Sequence, residues 1–123
     1  MQTIEIPRRT WAQRLNEFTA VHEGWLVSVD IVGPEAGRQR EVWHLPLLGI
    51  SADRADHEPI IEVSVARSAT EHLTHVIRDV VHIFVEQTDT GADAALQIAS
   101  ADGTKTVVRL RTAALPETVD GIA

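Results

Sequence analysis

The sequence contains no cysteine and no tyrosine, and Lys105 is its single lysine. Without cysteine, disulfides, thiolate chemistry and zinc sites with cysteine ligands are all excluded. Aromatic residues make up only 4% of the chain, so we expect a core of valine, isoleucine and leucine. No apolar run is long enough to cross a bilayer, and the first residues do not resemble a signal peptide. We therefore expect a cytoplasmic protein that does not contact a membrane.

The formal net charge is −7, and acidic side chains repel a phosphate backbone, so no nucleic-acid partner is expected. The charges are unevenly distributed in one part of the chain. Residues 86–102 hold no lysine or arginine, whereas the next segment carries Lys105, Arg109 and Arg111. If the two segments form a hairpin, their opposite charges would face each other, and we expect them to pair.

One helix is well marked, over residues 10–23. Thr10 can cap its first turn, and Gln13 follows three residues later, which is the capping-box pattern. Apolar residues then recur at helical spacing on one face. Gly24 fits the position that ends a helix in a left-handed conformation.

The rest of the chain alternates with a period of two, which is typical of half-buried strands. We expect strands near residues 25–31, 40–45, 61–65, 80–86, 96–99 and 106–111. Pro46 lacks a backbone donor and predicts an edge, a bulge or a break. Asp102-Gly103 predicts a two-residue hairpin turn with positive φ at both residues. Residues 70–79 fit either a strand or a short helical turn, and residues 113–123 an extended tail.

Strands that follow one another through short connections pair antiparallel. We therefore expect a single domain, residues 1–123, of the α+β class and mainly β. An N-terminal helix would precede about six antiparallel strands within residues 25–112. These strands would form a small curled sheet or an SH3-like or Sm-like partly closed barrel. The alternative is an open sheet with the helix packed on it.

Asp89-Thr90-Gly91-Ala92-Asp93 spells the catalytic motif of aspartic proteases. In those enzymes two aspartates share a proton and activate a water. Here the polar residues Gln87 and Thr88 precede the motif, and too few residues follow it for the rest of the protease. We interpret the string as a loop between strands, in which Gly91 has positive φ and the aspartates cap backbone groups. No catalytic residue is predicted, and the sequence favours a protein that is not an enzyme.

Three histidines, His72, His75 and His82, lie close together in the chain, with Glu71 and Asp79 beside them. His72 and His75 would share a face of a helical turn and could bind one metal ion, but they would point to opposite faces of a strand. The β-branched residues around them favour a strand. These five residues are the candidate ligand-binding site, surface histidines are the alternative, and no cofactor is predicted.

Short landmarks recur from one end of the chain to the other, and none of them is a catalytic signature. They are Ile6-Pro7-Arg8, His22-Glu23-Gly24-Trp25, Leu45-Pro46-Leu47, His72-Leu73-Thr74-His75-Val76-Ile77, Gly91-Ala92-Asp93, Asp102-Gly103 and Leu115-Pro116-Glu117. Together they resemble the bacterial family known as domain of unknown function 5335. The resemblance implies a single-domain bacterial protein, and it supplies no activity and no site residue.

Two hypotheses about function remain. The first is a non-catalytic module that binds a protein partner or forms a homodimer, with the histidine-rich segment and the tail as contact surfaces. The second is a protein that binds a metal or a small ligand through residues 72–82. Nucleic-acid binding by an Sm-like barrel is third, and the net charge of −7 weakens it.

Overall fold

The structure is a computed structural model that describes residues 1–53 and 59–112. Its elements are β1 (Gln2–Glu5), a 3-10 turn (Arg8–Thr10), α1 (Trp11–His22), β2 (Leu26–Gly33), β3 (Gly37–Asp53), β4 (Ile60–Ala66), β5 (His72–Ile77), β6 (Val80–Gln87), β7 (Asp93–Ser100) and β8 (Lys105–Thr112). The protein is therefore mainly β, as predicted, and β1 is an additional strand that the sequence pattern did not indicate. The described part of the chain contains no helix long and apolar enough to cross a membrane. The predicted tail lies outside the described residues.

All eight strands belong to one antiparallel sheet, in the order β1-β6-β7-β8-β2-β3-β4-β5. Among the described residues, the outermost strands β1 and β5 do not pair with each other, so the sheet is not closed. An unclosed sheet that carries one helix is the alternative named from the sequence. A likeness to SH3 or Sm barrels stays a prediction.

The long strand β3 joins the two halves of this sheet. Its residues 37–46 pair with β2, whereas its residues 47–53 pair with β4. At the change of partner the N–H of Leu47 donates to the Trp25 carbonyl, and the Leu47 carbonyl accepts from Gly24, both at 2.8 Å. Pro46 lies at this point, in agreement with the irregularity that its missing donor predicts.

The change of partner brings the apolar faces of the two halves together around α1. The buried side chains include Trp11, Leu15, Phe18, Val27, Val29, Leu47, Ile50, Ile61, Val63, Ile83, Leu96, Ile98 and Val108. Most of them are aliphatic, as the scarcity of aromatic residues predicts. Burying one such large side chain stabilises the fold by about 1.5–3 kcal/mol.

The predicted helix is confirmed, but its predicted capping box is wrong. The Thr10 hydroxyl donates to the Pro7 carbonyl at 2.8 Å, and the Gln13 amide donates to Glu17 at 3.1 Å. The reason is that the chain enters α1 through the 3-10 turn, which gives Thr10 a ψ of 5° instead of the extended conformation of a capping residue. Gly24 does have the expected left-handed conformation, with φ +88°.

The β7–β8 hairpin is also confirmed, with a different turn. Only Gly103 of the predicted pair has positive φ, because the Asp102 carboxylate instead accepts the Thr104 N–H at 2.9 Å. The Thr104 backbone N–H and hydroxyl lower the pKa of the Asp102 carboxyl. The predicted pairing of charges across this hairpin is wrong. The register places Lys105 opposite Ala99 and Arg109 opposite Ala95, and Arg111 donates to His44 instead of to a carboxylate.

Gly24→Ala tests the left-handed link between α1 and β2. We expect a loss of about 1–2 kcal/mol in the free energy of unfolding, because an L-residue is strained at positive φ. Steric contact does not contribute, since nothing lies within 4 Å of the added Cβ. Urea unfolding measures the loss. Gly33→Ala is the matched control, because Gly33 has ordinary φ and only Ala36 lies within 4 Å. An equal loss in both variants would show that φ is not the cause.

Candidate functional site

Trp43 of β3 lies on the outer surface of the sheet, with 48% of the residue exposed. The guanidinium carbon of Arg40 lies 4.1 Å from the centre of the indole ring, and that of Arg111 lies 5.2 Å from it. The His44 ring stacks on the indole with centroids 3.9 Å apart and an angle of 13° between the planes. These are cation–π and stacking distances, so the exposed ring is held in one orientation.

A β-bulge produces this arrangement. Between two successive paired positions of β2 and β3, Trp43 and His44 together lie opposite the single residue Ser28. His44 has φ +53°, which costs a non-glycine residue about 1–2 kcal/mol. A bulge with strained backbone persists only where its surroundings hold it, and such backbone clusters at functional sites.

A buried carboxylate fixes two arginines on the same surface. Asp30 of β2 is only 5% exposed. It accepts a hydrogen bond from Arg40 Nε at 3.1 Å and lies 3.6 Å from Arg38 Nε. A carboxylate this buried requires cationic partners. Both arginine side chains nevertheless remain about half or more exposed, so their outer donors face solvent and can reach a ligand.

Arg111 of β8 completes the group. Its Nε donates to His44 Nε2 at 3.1 Å, so that nitrogen carries a lone pair and not a proton. We call Asp30, Arg38, Arg40, Trp43, His44 and Arg111 the Trp43 cluster. It has three guanidinium groups against one carboxylate, on a chain of net charge −7.

Sequence reasoning missed the Trp43 cluster. Two signals were available, namely the basic last strand with Arg111 and the arginines at positions 38 and 40, which a strand places on one face. Neither signal indicates that a bulge places His44 on the same side of the strand as Trp43. The cluster also depends on the pairing of β2 with β8, which joins segments far apart in the chain.

Ser28, opposite the bulge, is the unusual buried polar residue of this region. It is 2% exposed, and its hydroxyl has no hydrogen-bond partner within the described part of the chain. A buried hydroxyl without a partner costs about 1–3 kcal/mol. The region of the bulge therefore contains an unpaired buried hydroxyl, that of Ser28, as well as the strained backbone of His44.

The predicted histidine site is divided by the geometry of β5. His72 pairs with Ala66 and His75 pairs with the buried Val63, so the two rings point to opposite faces of the strand. His82 lies on β6, where its Nδ1 is 2.7 Å from a Glu5 carboxylate oxygen. The structure does not bring the three rings together, and the described residues contain no group of three potential metal ligands.

Glu71 and Asp79 lie in the turns at the two ends of β5. The Glu71 carbonyl accepts the Arg67 N–H, and Asp79 has φ +54°. Asp79 and His75 line one groove of about 280 Å³ together with Asp102. A ligand site made from all five predicted residues stays a prediction, and this groove is where two of them meet.

The protease-like string forms the turn between β6 and β7. Gly91 has φ +89°, as predicted. The predicted caps are wrong: the Thr88 hydroxyl, not an aspartate, accepts the Ala92 N–H at 3.1 Å. Asp89 instead contacts the N-terminal ammonium group. Asp93 accepts from the Gln87 amide at 3.0 Å, because β7 begins at this residue and directs its side chain away from the turn.

His22 has a polar role that its place in the helical pattern did not reveal. It is 3% exposed, and its Nδ1 donates to the Phe18 carbonyl at 2.8 Å. Its Nε2 lies 3.7 Å from the Asp93 carboxylate. The ring therefore lies where the end of α1 meets the start of β7.

Comparison with known proteins agrees with the resemblance that the short sequence landmarks indicate. The model of a family of unknown function, DUF5335, matches residues 2–118. An uncharacterized protein of Aquifex aeolicus (strain VF5) is 30% identical over 118 residues, which cover 95% of this chain and 100% of that protein. No solved structure matches the chain.

Ser28→Ala tests the cost of the buried hydroxyl. We expect the free energy of unfolding to stay unchanged or to rise by about 1 kcal/mol, because the change removes an unpaired polar atom and little volume. Thr19→Val is the contrasting variant, since the Thr19 hydroxyl pairs with the Ile50 carbonyl at 3.1 Å and N–H at 2.9 Å. That variant should lose about 1–3 kcal/mol in urea unfolding. A comparable loss in Ser28→Ala would show that its hydroxyl is satisfied.

Proposed function

The chain belongs to the DUF5335 family of unknown function, and we propose that it is a non-catalytic, cytoplasmic protein-binding module. In this proposal the Trp43 cluster is the contact surface, and the partner presents an acidic segment. The observation that carries the proposal is the half-exposed Trp43, with two arginines over its ring on a strained bulge.

The composition of the cluster suits protein recognition. Tryptophan and arginine are the residues most enriched among those that dominate binding energy at protein interfaces. The planar guanidinium group binds a carboxylate through two parallel hydrogen bonds. An acidic partner segment would therefore meet matching donors at Arg38 and Arg111, while Trp43 supplies apolar contact area.

Preorganisation also supports the proposal. Ordering a long side chain at an interface costs about 0.5–1.5 kcal/mol. Asp30 already orders Arg40, and His44 already orders Arg111. The free protein has thus already lost part of the side-chain entropy of these arginines. Less of the contact free energy is therefore offset by ordering when a partner binds.

The charge distribution favours an acidic peptide over a nucleic acid. A phosphate backbone extends over many charges and would meet the repulsion of a chain with net charge −7. A short acidic segment meets only the local positive surface. Attraction of this kind weakens as salt screens the charges.

A second candidate function is the binding of a small ligand in the groove that His75, Asp79 and Asp102 line. Its volume of about 280 Å³ is near the lower limit for small-molecule sites. Two residues of the predicted site meet there, which is the observation in its favour. We favour the Trp43 cluster over the groove as the binding surface, because the side chains of the cluster already hold one another in place.

Titration with a fluorescently labelled oligoglutamate peptide tests the proposed surface. We expect binding at low salt that weakens as salt is added, together with a change in tryptophan fluorescence. The double variant Arg38→Gln, Arg111→Gln should bind about tenfold or more weakly, because charge-assisted hydrogen bonds contribute about 1.5–3 kcal/mol each. Arg40 is left in place, since Asp30 depends on it.

Arg9→Gln is the matched control, because Arg9 is an exposed arginine in the 3-10 turn, outside the cluster. It should bind the peptide like the unmodified protein. The control removes one positive charge and the double variant removes two, so a loss of binding free energy in the control of half that in the double variant or more would show a general charge effect. That result, or a double variant with full affinity, would contradict the proposed contact surface.

A further inference from the structure

Among residues 1–53 and 59–112, β5 ends the sheet on one side, so one edge of its backbone faces away from β4. The hairpin that joins β4 to β5 shows which residues point to that edge. The Arg67 N–H donates to the Glu71 carbonyl at 2.9 Å, so this pair lies at a hydrogen-bonded position of the ladder. Hydrogen-bonded and non-hydrogen-bonded pairs alternate along an antiparallel ladder. His72, Thr74 and Val76 therefore direct their N–H and carbonyl groups away from β4.

The sequence of β5 itself has none of the features that usually protect an edge strand. Native proteins protect such edges with charged side chains, proline, bulges or very short strands. β5 has six residues, and none of them is Lys, Arg, Asp, Glu, Pro or Gly. Its pairing with β4 is free of register shifts. The opposite edge, β1, has only four residues and carries Glu5.

We propose that two copies of this chain pair through β5, antiparallel, with Thr74 of each copy at the two-fold axis. In this register His72 lies opposite the second copy's Val76, and Thr74 lies opposite its counterpart. The outward groups of both edges are then satisfied by about six hydrogen bonds, two for each hydrogen-bonded pair. Such an interface is isologous, since each copy presents the same strand.

The side chains are compatible with this register. Directly opposite residues share a face of the sheet, so Leu73 of one copy packs beside the second copy's His75. Leu73 is 36% exposed and Val76 is 41% exposed, and both would bury apolar area in the dimer. Each copy contributes the same exposed apolar side chains to the same register, so a second copy matches this edge on both faces of the sheet.

The absence of cysteine makes a direct test available. Thr74→Cys introduces one thiol at the two-fold axis, where opposite Cα atoms lie about 5.5 Å apart. That separation is within the range of disulfides. We expect mild oxidation to convert most of this variant into a covalent dimer. Ser51→Cys, exposed on β3, is the matched control and should cross-link slowly.

Val76→Lys is the second variant, because a lysine at the edge places like charges on both sides of the interface. Sedimentation of the unmodified chain should show a dimer over the micromolar to millimolar range, and this variant should be monomeric with unchanged circular dichroism. A monomeric unmodified chain, or Thr74→Cys cross-linking no faster than Ser51→Cys, would overturn the proposal. The Arg38→Gln, Arg111→Gln variant should still dimerise, which separates this test from that of the Trp43 cluster.

Discussion

The change of partner within β3 is the constraint on which the rest of the structure depends. The strand pairs with β2 before Pro46 and with β4 after it. Two backbone hydrogen bonds between Leu47 and residues 24–25 hold the strand at this point. Because one strand serves both halves of the sheet, their apolar faces meet and bury the aliphatic core. α1 is fixed to the second half by the two bonds between Thr19 and Ile50.

The same distortion determines what the surface presents. The bulge that precedes the change of partner places His44 beside the outward-facing Trp43 and strains the His44 backbone. The strain of about 1–2 kcal/mol is offset in part by the stacking of His44 on Trp43 and by the arginines over the ring, each worth about 0.5–1.5 kcal/mol. A regular strand would not need these contacts. The sheet is therefore irregular around Ser28 and Asp30, and the buried Ser28 hydroxyl there lacks a partner among the described residues.

Local pattern predicted the elements well and their partners poorly. The period of two identified most strands, and Gly24 was correctly placed in the left-handed region, because both signals depend on nearby residues only. β1 was missed because four residues before Pro7 carry too little periodicity. The capping box failed because a 3-10 turn precedes α1. The Trp43 cluster escaped prediction because it requires β2, β3 and β8 to be neighbours, which depends on contacts between distant parts of the chain.

The histidines show the opposite case, in which a simple rule was sufficient. Spacing of three residues on a strand separates His72 from His75, and the register of β5 confirms that separation. The rule does not predict the tertiary packing, which places His75, Asp79 and Asp102 around one groove. Side-chain direction follows from sequence pattern, whereas the meeting of distant side chains follows from topology.

Whether the Trp43 cluster is the surface that binds an acidic partner is decided by an NMR titration with an oligoglutamate peptide. The indole N–H of Trp43 and the Nε–H groups of Arg38 and Arg111 are individually observable. Their signals should shift with peptide concentration, while the buried Trp11 indole, which donates to the Ile6 carbonyl at 2.9 Å, should not shift. Shifts confined to other parts of the chain, with the Trp43 and arginine signals unchanged, would contradict the claim.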